Sequence, residues 1–394
     1  MTPSPDYDVI IAGAGPAGSM AAASLSRAGW KVLLLEKKTF PRSKPCGGCL
    51  SRRVEGLLPP VLLQEVIEKE ITRVIFTFKQ RETLEFTTTQ PAAYMVRREF
   101  FDFRLAREAR QAGAEIRFST PLSSYEILPE FVSVQTPAGR FKGRFLVLAS
   151  GAYFAERLNQ RARPTSLTYQ ALEGPVASSG VSAPWPPEAV AIHLGSVAFG
   201  YGWTFPSGKR LSIGVSYWPA KENRPRRCRD QFLRGLSFLE TRPRLKGHPI
   251  PCYDGQPVAY AQKRVLRAGD AARLVEPFLG EGIYYALWSG QRGAEVISSA
   301  LQSGNPDLSA YPRALARELL PEFARALRLA RWFYAWPGLF WWLLKKHDSI
   351  MPIYFNILRG QESYDRFFWE FKKKIRKYTG LRWVLGEPRR RVFP

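Results

Sequence analysis

The sequence predicts a mixed α/β protein in three parts: a parallel-sheet nucleotide-binding domain, an antiparallel-sheet domain and a C-terminal helical region. Three observations predict it. Residues 7–37, YDVIIAGAGPAGSMAAASLSRAGWKVLLLEK, read as strand, glycine turn, helix and second strand. Residues 70–96 and 165–218 break into short runs rich in β-branched and aromatic residues. From Pro306 onward, apolar residues recur at helical spacing. A chain of 394 residues accommodates about two or three such units.

The first unit opens with Val9–Ala12, an apolar run short enough for a buried parallel strand. Gly13, Gly15 and Gly18 form G-x-G-x-x-G. Gly13 permits the tight turn, Gly15 lets the backbone approach a pyrophosphate, and Gly18 lets helix and strand pack closely. Ala17 and the small residues through Ala23 carry the helix away, with its N-terminus facing the phosphates. Gly29 ends the helix, Val32–Leu35 forms a second strand, and Glu36, followed by Lys37, closes it where a carboxylate can bond a ribose hydroxyl. All of this within about 30 residues is a dinucleotide fingerprint, common to FAD and NAD.

Residues 264–290, RVLRAGDAARLVEPFLGEGIYYALWSG, favour FAD. Val265–Ala268 reads as a strand, and Gly269-Asp270 after it can place a carboxylate on a ribityl or ribose hydroxyl. Gly280 and Gly282 leave backbone N–H groups open where a helix begins at Ile283, which suits a carbonyl or phosphate oxygen.

Between these segments, TRVIFTF, TLEFTT, AAYMV and the runs of 165–218 predict one antiparallel sheet drawn from separate parts of the chain. Thr204–Pro206 and Leu211–Tyr217 read as a hairpin across Ser207-Gly208-Lys209. Tyr201, Trp203 and Phe205 alternate, so they face one side, either as sheet core or as a cavity wall. SAPWPPE at 182–188 reads as a proline-rich loop, and KENRPRRCRD at 221–230 as a basic run.

The chain carries 58 Lys+Arg against 34 Asp+Glu, a net charge of +24, and so attracts anions: nucleic acid, anionic lipid or a phosphorylated substrate. No nucleic-acid-binding module is visible, which argues against the first. Four cysteines and three histidines lack the spacing of a zinc site, so no metal is expected. Cys46 and Cys49 bracket two glycines in KPCGGCLS, with Arg42, Lys44, Arg52 and Arg53 nearby. Cations lower a thiol's pKa, so Cys46 reads as a reactive thiol, a small packing residue, or one half of a redox pair; Cys49 reads as incidental. The strand from Tyr7 leaves no room for a leader, and no apolar run reaches the roughly 20 residues of a membrane span. A cytoplasmic location is expected. Trp332–Leu344, the lysines after it, FFWEFKKKIRKY at 367–378 and EPRRRVFP at the end suggest contact with the cytoplasmic face of an anionic membrane.

Several of these stretches together resemble a known family. Gly-Asp-Ala-Ala followed by P-x-x-G-E-G-I looks like the FAD flavoproteins of para-hydroxybenzoate hydroxylase type. Within them, KPCGG at 44–48, R-x-x-x-D within MVRREFFDFRLA at 95–106, and GYGWTFP at 200–206 resemble the geranylgeranyl reductase family. Ser150-Gly151 departs from the Asp-Gly pair frequent there, and Cys49 is outside the pattern.

The resemblance implies a Rossmann-type FAD-binding domain (1–69, 92–155 and 256–305), a substrate sheet domain (70–91 and 156–255) and the helical region 306–394. It places Arg98, Cys46, Gly47 and Gly48 near FAD, and Tyr201, Trp203, Phe205 and Pro206 in a substrate cavity. Cys46, Tyr201 and Trp203 are the catalytic candidates, with Tyr201, Cys46 or a water as proton source. The implied activity is reduction of C=C bonds in a polyprenyl chain on a diphosphate, chlorophyllide, lipid or quinone, with NADPH or ferredoxin as electron donor. The alternatives are a flavin monooxygenase and a lipid-binding protein that keeps FAD structurally. The sequence sets no oligomeric state.

Overall fold

The computed structural model describes residues 4–152, 168–177, 185–186, 188–218, 224–240, 242–347 and 349–379. Its first sheet is parallel at the centre, in the order Val265–Arg267, Gly139–Leu148, Tyr7–Ala12, Val32–Leu35, Glu115–Arg117. Val9, Ile10, Ile11, Leu33 and Leu34 are buried, so these strands read as unbroken apolar runs. Helix Pro16–Arg27 lies against one face together with helix Ile283–Ser303, its alanines buried in a shared core.

The second sheet has seven strands, ordered 246–251, 168–177, 210–217, 200–207, 189–194, 73–78, 82–87. Gly200–Ser207 and Arg210–Tyr217 form the expected hairpin, with Gly208 at φ +60° in its turn. Two features differ from the sequence expectation of one antiparallel sheet. Ala189–Leu194 runs parallel to Arg73–Phe78, a seam between strands supplied by distant chain segments. Ala93–Met95 leaves this sheet and pairs instead with Cys49–Ser51 and Lys69–Ile71 in a separate three-stranded sheet. All three residues of Ala93–Met95 are buried, which removes the in–out alternation that would have assigned them a face.

Helices Leu320–Ala335, Pro337–Lys346, Ile350–Leu358 and Tyr364–Thr379 pack their apolar sides on the second sheet, with Phe333, Phe340, Trp341, Leu344 and Phe371 in the common core. Most of the aromatic tail is therefore core, and the exposed large aromatics there are Trp336 (67%) and Trp369 (58%). Among the described residues, no helix is long and apolar enough to cross a membrane. The basic run at 221–230 is helical from Pro225 to Arg234; residues 221–223, most of 182–188 and the end EPRRRVFP lie outside the described residues.

Candidate active site

The glycine fingerprint is built as close contacts. A Cβ on Gly13, whose φ is +108°, would stand 2.4 Å from Ala149 O, and one on Gly18 would stand 1.8 Å from Gly13 O. Only glycine fits either position. Gly15 is different: the nearest atom to its Cβ would be an Arg42 guanidinium nitrogen at 3.7 Å, so its open face is available to a ligand. Glu36 ends its strand with Oε2 accepting the Ala14 N–H at 3.1 Å and Oε1 accepting the Lys38 N–H at 3.0 Å. Arg42 reaches both Glu36 (3.5 Å) and Asp102 (3.1 Å) while lying over the Phe40 ring.

A cavity opens beyond Gly15 and Ala17, between the two large sheets. Lys44, Cys46, Gly47, Gly48 and Arg98 line it from one side. Gly269, Asp270, Gly280, Gly282 and Ile283 line it from another. Tyr201, Trp203 and Phe205 form an aromatic wall. Among the sequence candidates, Gly13, Gly18, Glu36, Lys37 and Pro206 are not in the lining; Gly13 and Gly18 shape the turn behind it, and Glu36 lies at the turn's far side.

Each wall is held by polar contacts. Arg98 and Asp102 pair through two hydrogen bonds of 2.9 Å, with the carboxylate fully buried. Burial works against the Arg98 charge, but Asp102 and the neighbouring Cys46 outweigh it and raise its pKa. Lys44 Nζ lies 3.3 Å from Asp270. Burial opposes ionisation of Asp270, yet Lys44 prevails and holds the carboxyl below its ordinary range. Tyr201 donates its hydroxyl hydrogen to Leu279 O at 2.5 Å, tying the aromatic wall to the P-F-L-G-E-G turn. A Cβ on Gly47 would meet the Phe205 ring at 2.9 Å, so the cysteine loop presses on that wall.

Cys46 and Cys49 are both free thiols. Cys46 Sγ accepts the Gly48 N–H at 3.4 Å. Cys49, read as incidental in the sequence, lines the same cavity, and burial pushes its thiol up to about 12. Sequence reasoning also passed over Glu173, His248 and Glu281 as lining residues, and over Asp102 as a partner. Arg42 and Lys44 were visible as positive charge, but Asp102 and Asp270, which they reach, lie dozens to hundreds of residues away.

The turn ahead of helix Ile283–Ser303 is clamped by a buried acid. Glu276 accepts the backbone N–H groups of Phe278 and Leu279, the latter at 3.0 Å. Burial raises its pKa to about 7. A carboxyl with a raised folded-state pKa contributes stability fully below its unfolded value and loses it as pH climbs through about 7. Unfolding free energy is therefore expected to fall by about 3 kcal/mol per such group between pH 4.5 and 8. Urea titrations across that range should show a shallower slope in Glu276→Gln; an unchanged slope would contradict the assignment.

The residues fit FAD. The open face of Gly15 and the N-terminus of helix Pro16–Arg27 suit a pyrophosphate, and Glu36 suits a ribose. Ser150 Oγ and Glu281 Oε1 are buried without a protein hydrogen-bond partner among the described residues, as expected of groups that meet a polar ligand. This fold, with its glycine turn and Gly-Asp strand end meeting at one cavity, defines a flavoprotein of the dinucleotide-binding class.

Comparison with known proteins narrows the class. The family model described as "FAD binding domain" matches residues 6–227. A geranylgeranyl diphosphate reductase of Rhodobacter capsulatus is 31% identical over 76% of this chain and 77% of its own. A menaquinone reductase of Mycobacterium tuberculosis is 30% identical over 82% of this chain and 83% of its own. The crystal structure of a geranylgeranyl bacteriochlorophyll reductase-like protein from Thermoplasma acidophilum superposes with a TM-score of 0.72, at 20% identity, over 83% of this chain and 87% of that one. The chain belongs to the geranylgeranyl reductase family of FAD-binding proteins and is an FAD-dependent oxidoreductase.

Proposed function

We propose that the protein saturates carbon–carbon double bonds of a polyprenyl chain of geranylgeranyl type, carried on a diphosphate, chlorophyllide, lipid or quinone. One observation supports this most. The cavity that meets Asp270 and the cysteine loop continues as an apolar enclosure lined by Ile71, Val74, Val190, Ile192, Val275 and Leu358. An isolated alkene offers no carbonyl to polarise, so the protein contributes position and exclusion of water rather than electrophilic activation. Bound and reduced, FAD supplies the hydride equivalent.

The chain's own groups do the rest. The apolar lining holds the prenyl chain, and the Tyr201–Trp203 wall confines the alkene. Tyr201 serves as wall rather than acid, because its hydroxyl hydrogen is engaged by Leu279 O and burial raises its pKa further. Cys46, beside Arg98, shapes the loop between cofactor and substrate. The net charge of +24 steers an anionic head group toward the protein.

The reading predicts that the dithionite-reduced holoprotein, freed of excess reductant and kept anaerobic, regains oxidised-flavin absorbance on adding geranylgeranyl diphosphate. If this substrate, prenylated chlorophyllide, a geranylgeranylated glycerolipid and menaquinone all fail until oxygen is admitted, the reading is wrong. The electron donor is NADPH or a ferredoxin, and anaerobic bleaching by NADPH alone selects the first. Exposed Trp336 and Trp369, the latter under Lys373 at 4.9 Å, support a peripheral seat on the cytoplasmic face of an anionic membrane. Flotation with anionic vesicles should recover the protein, and the Trp336→Ala/Trp369→Ala variant should stay in the soluble fraction.

A further inference from the structure

Saturating an isolated alkene takes one proton for every hydride, and an enclosure that excludes water must present the acid itself. The ionisable groups of the cavity wall can be taken in turn. The Tyr201 hydroxyl is engaged by Leu279 O. Asp270 is held charged by Lys44. Burial, with Lys44 beside it, pushes the His248 imidazole down to about 4, so at neutral pH it has no acidic proton to give. The Cys49 thiol is pushed up to about 12. Cys46 lies against the Arg98 guanidinium. Burial raises the Tyr354 phenol well above its ordinary range. Two carboxyls remain, Glu173 and Glu281. Glu281 faces the Arg53 cation, on the turn just ahead of helix Ile283–Ser303.

Glu173 stands on the substrate side, on strand Thr168–Ala177, and the groups that hydrogen-bond it are neutral. Trp203 Nε1 donates to Ser212 Oγ at 3.2 Å, and Ser212 donates to Glu173 Oε1 at 3.1 Å. An indole N–H is donor only, so the serine oxygen accepts from it and keeps its own hydrogen for Oε1. With Oε1 accepting in this way, the proton of a neutral Glu173 sits on Oε2. The Cys46 backbone N–H also faces the carboxyl. Burial favours the neutral form; Lys246, opposite on the neighbouring strand, works against it, and Glu99 works with it.

We propose that Glu173, held by the Trp203–Ser212 chain, is the acid of the reaction and protonates the alkene carbon that does not take the hydride. The inference rests on the reductase reading above. The step balances. One alkene carbon takes a hydride from the reduced flavin cofactor, and the π pair forms the second C–H bond with the Glu173 proton. The carboxylate left behind is reprotonated by solvent once product leaves.

The test uses the full-length holoprotein and three variants, Glu173→Gln, Ser212→Ala and, for comparison, Glu281→Gln. Flavin retention is read by fluorescence, and single-turnover reoxidation by geranylgeranyl diphosphate is followed across pH. Glu173→Gln should keep FAD affinity within about twofold and lose about 100-fold or more in reoxidation rate. It should also lose the falling limb at high pH. Ser212→Ala, stripped of a bond that stabilises the carboxylate, should move that limb to higher pH. Infrared difference spectra of the FAD-free protein should show a protonated carboxyl at neutral pH that Glu173→Gln removes. A Glu173→Gln protein with wild-type rate, a limb lost in Glu281→Gln instead, or no infrared band assigned to Glu173 overturns the proposal. A wild-type protein inert toward every prenyl substrate overturns the reductase reading, and this inference with it. The wild-type trace distinguishes that failure from one of Glu173 alone.

Discussion

Arg98→Met is expected to lower the unfolding free energy by about 3–5 kcal/mol and to leave a protein that does not retain FAD. Arg98 is 6% exposed and Asp102 not at all, and two hydrogen bonds of 2.9 Å join them. Removing the guanidinium leaves a carboxylate in the interior with Arg42, at 3.1 Å, as its remaining cation. One contact replaces three, and the lost two were the bidentate pair that matches carboxylate geometry. The damage spreads because Arg98 also lines the cavity beside Cys46, at the base of the cysteine loop. Urea unfolding of the FAD-free protein reads the stability term without interference from the cofactor. A loss below about 1 kcal/mol would mean that Arg42 compensates Asp102 alone, and that the pair is not what anchors this wall.

Gly15→Ala is expected to weaken FAD binding while sparing the fold. Gly15 has φ −77°, which alanine adopts without strain, and its added methyl would find its nearest neighbour at 3.7 Å. The apoprotein should therefore melt within about 2 °C of wild type, as a surface change would. The methyl would occupy the side from which a pyrophosphate approaches, so FAD affinity should fall about 100-fold, close to 3 kcal/mol. Gly18→Ala gives the contrast, because its methyl would sit 1.8 Å from Gly13 O and must disturb strand and helix together. Equal melting losses in both variants would show that Gly15 serves packing rather than the ligand.

These variants also show what the sequence could convey. The fingerprint was legible because its parts are local: three glycines, a strand before them and an acid at the next strand's end all fall within residues 7–37. The Gly269-Asp270 strand end and the helix from Ile283 were legible for the same reason. What escaped depends on long-range pairing. Arg98 was visible, but its second competitor for Asp102, Arg42, approaches from 60 residues upstream. Glu173 and His248 become neighbours only because Ala171 pairs with His248 across two strands far apart in the chain. The short strands Cys49–Ser51, Lys69–Ile71 and Ala93–Met95 carry too few residues for a period to declare itself. The aromatic tail posed another ambiguity. Aromatic residues at helical spacing suit a sheet face as well as a lipid surface, and Phe340 and Trp341 went to the sheet while Trp336 and Trp369 did not.

The central claim is that the bound flavin's electrons end in a saturated prenyl carbon pair. The most direct measurement is the mass of the product formed when the pre-reduced holoprotein meets geranylgeranyl diphosphate under argon. The account predicts a gain of two hydrogens for each flavin reoxidised, with no oxygen incorporated. Unchanged prenyl mass under argon, followed by a gain of one oxygen when air is admitted, would contradict it and identify a monooxygenase on the same fold.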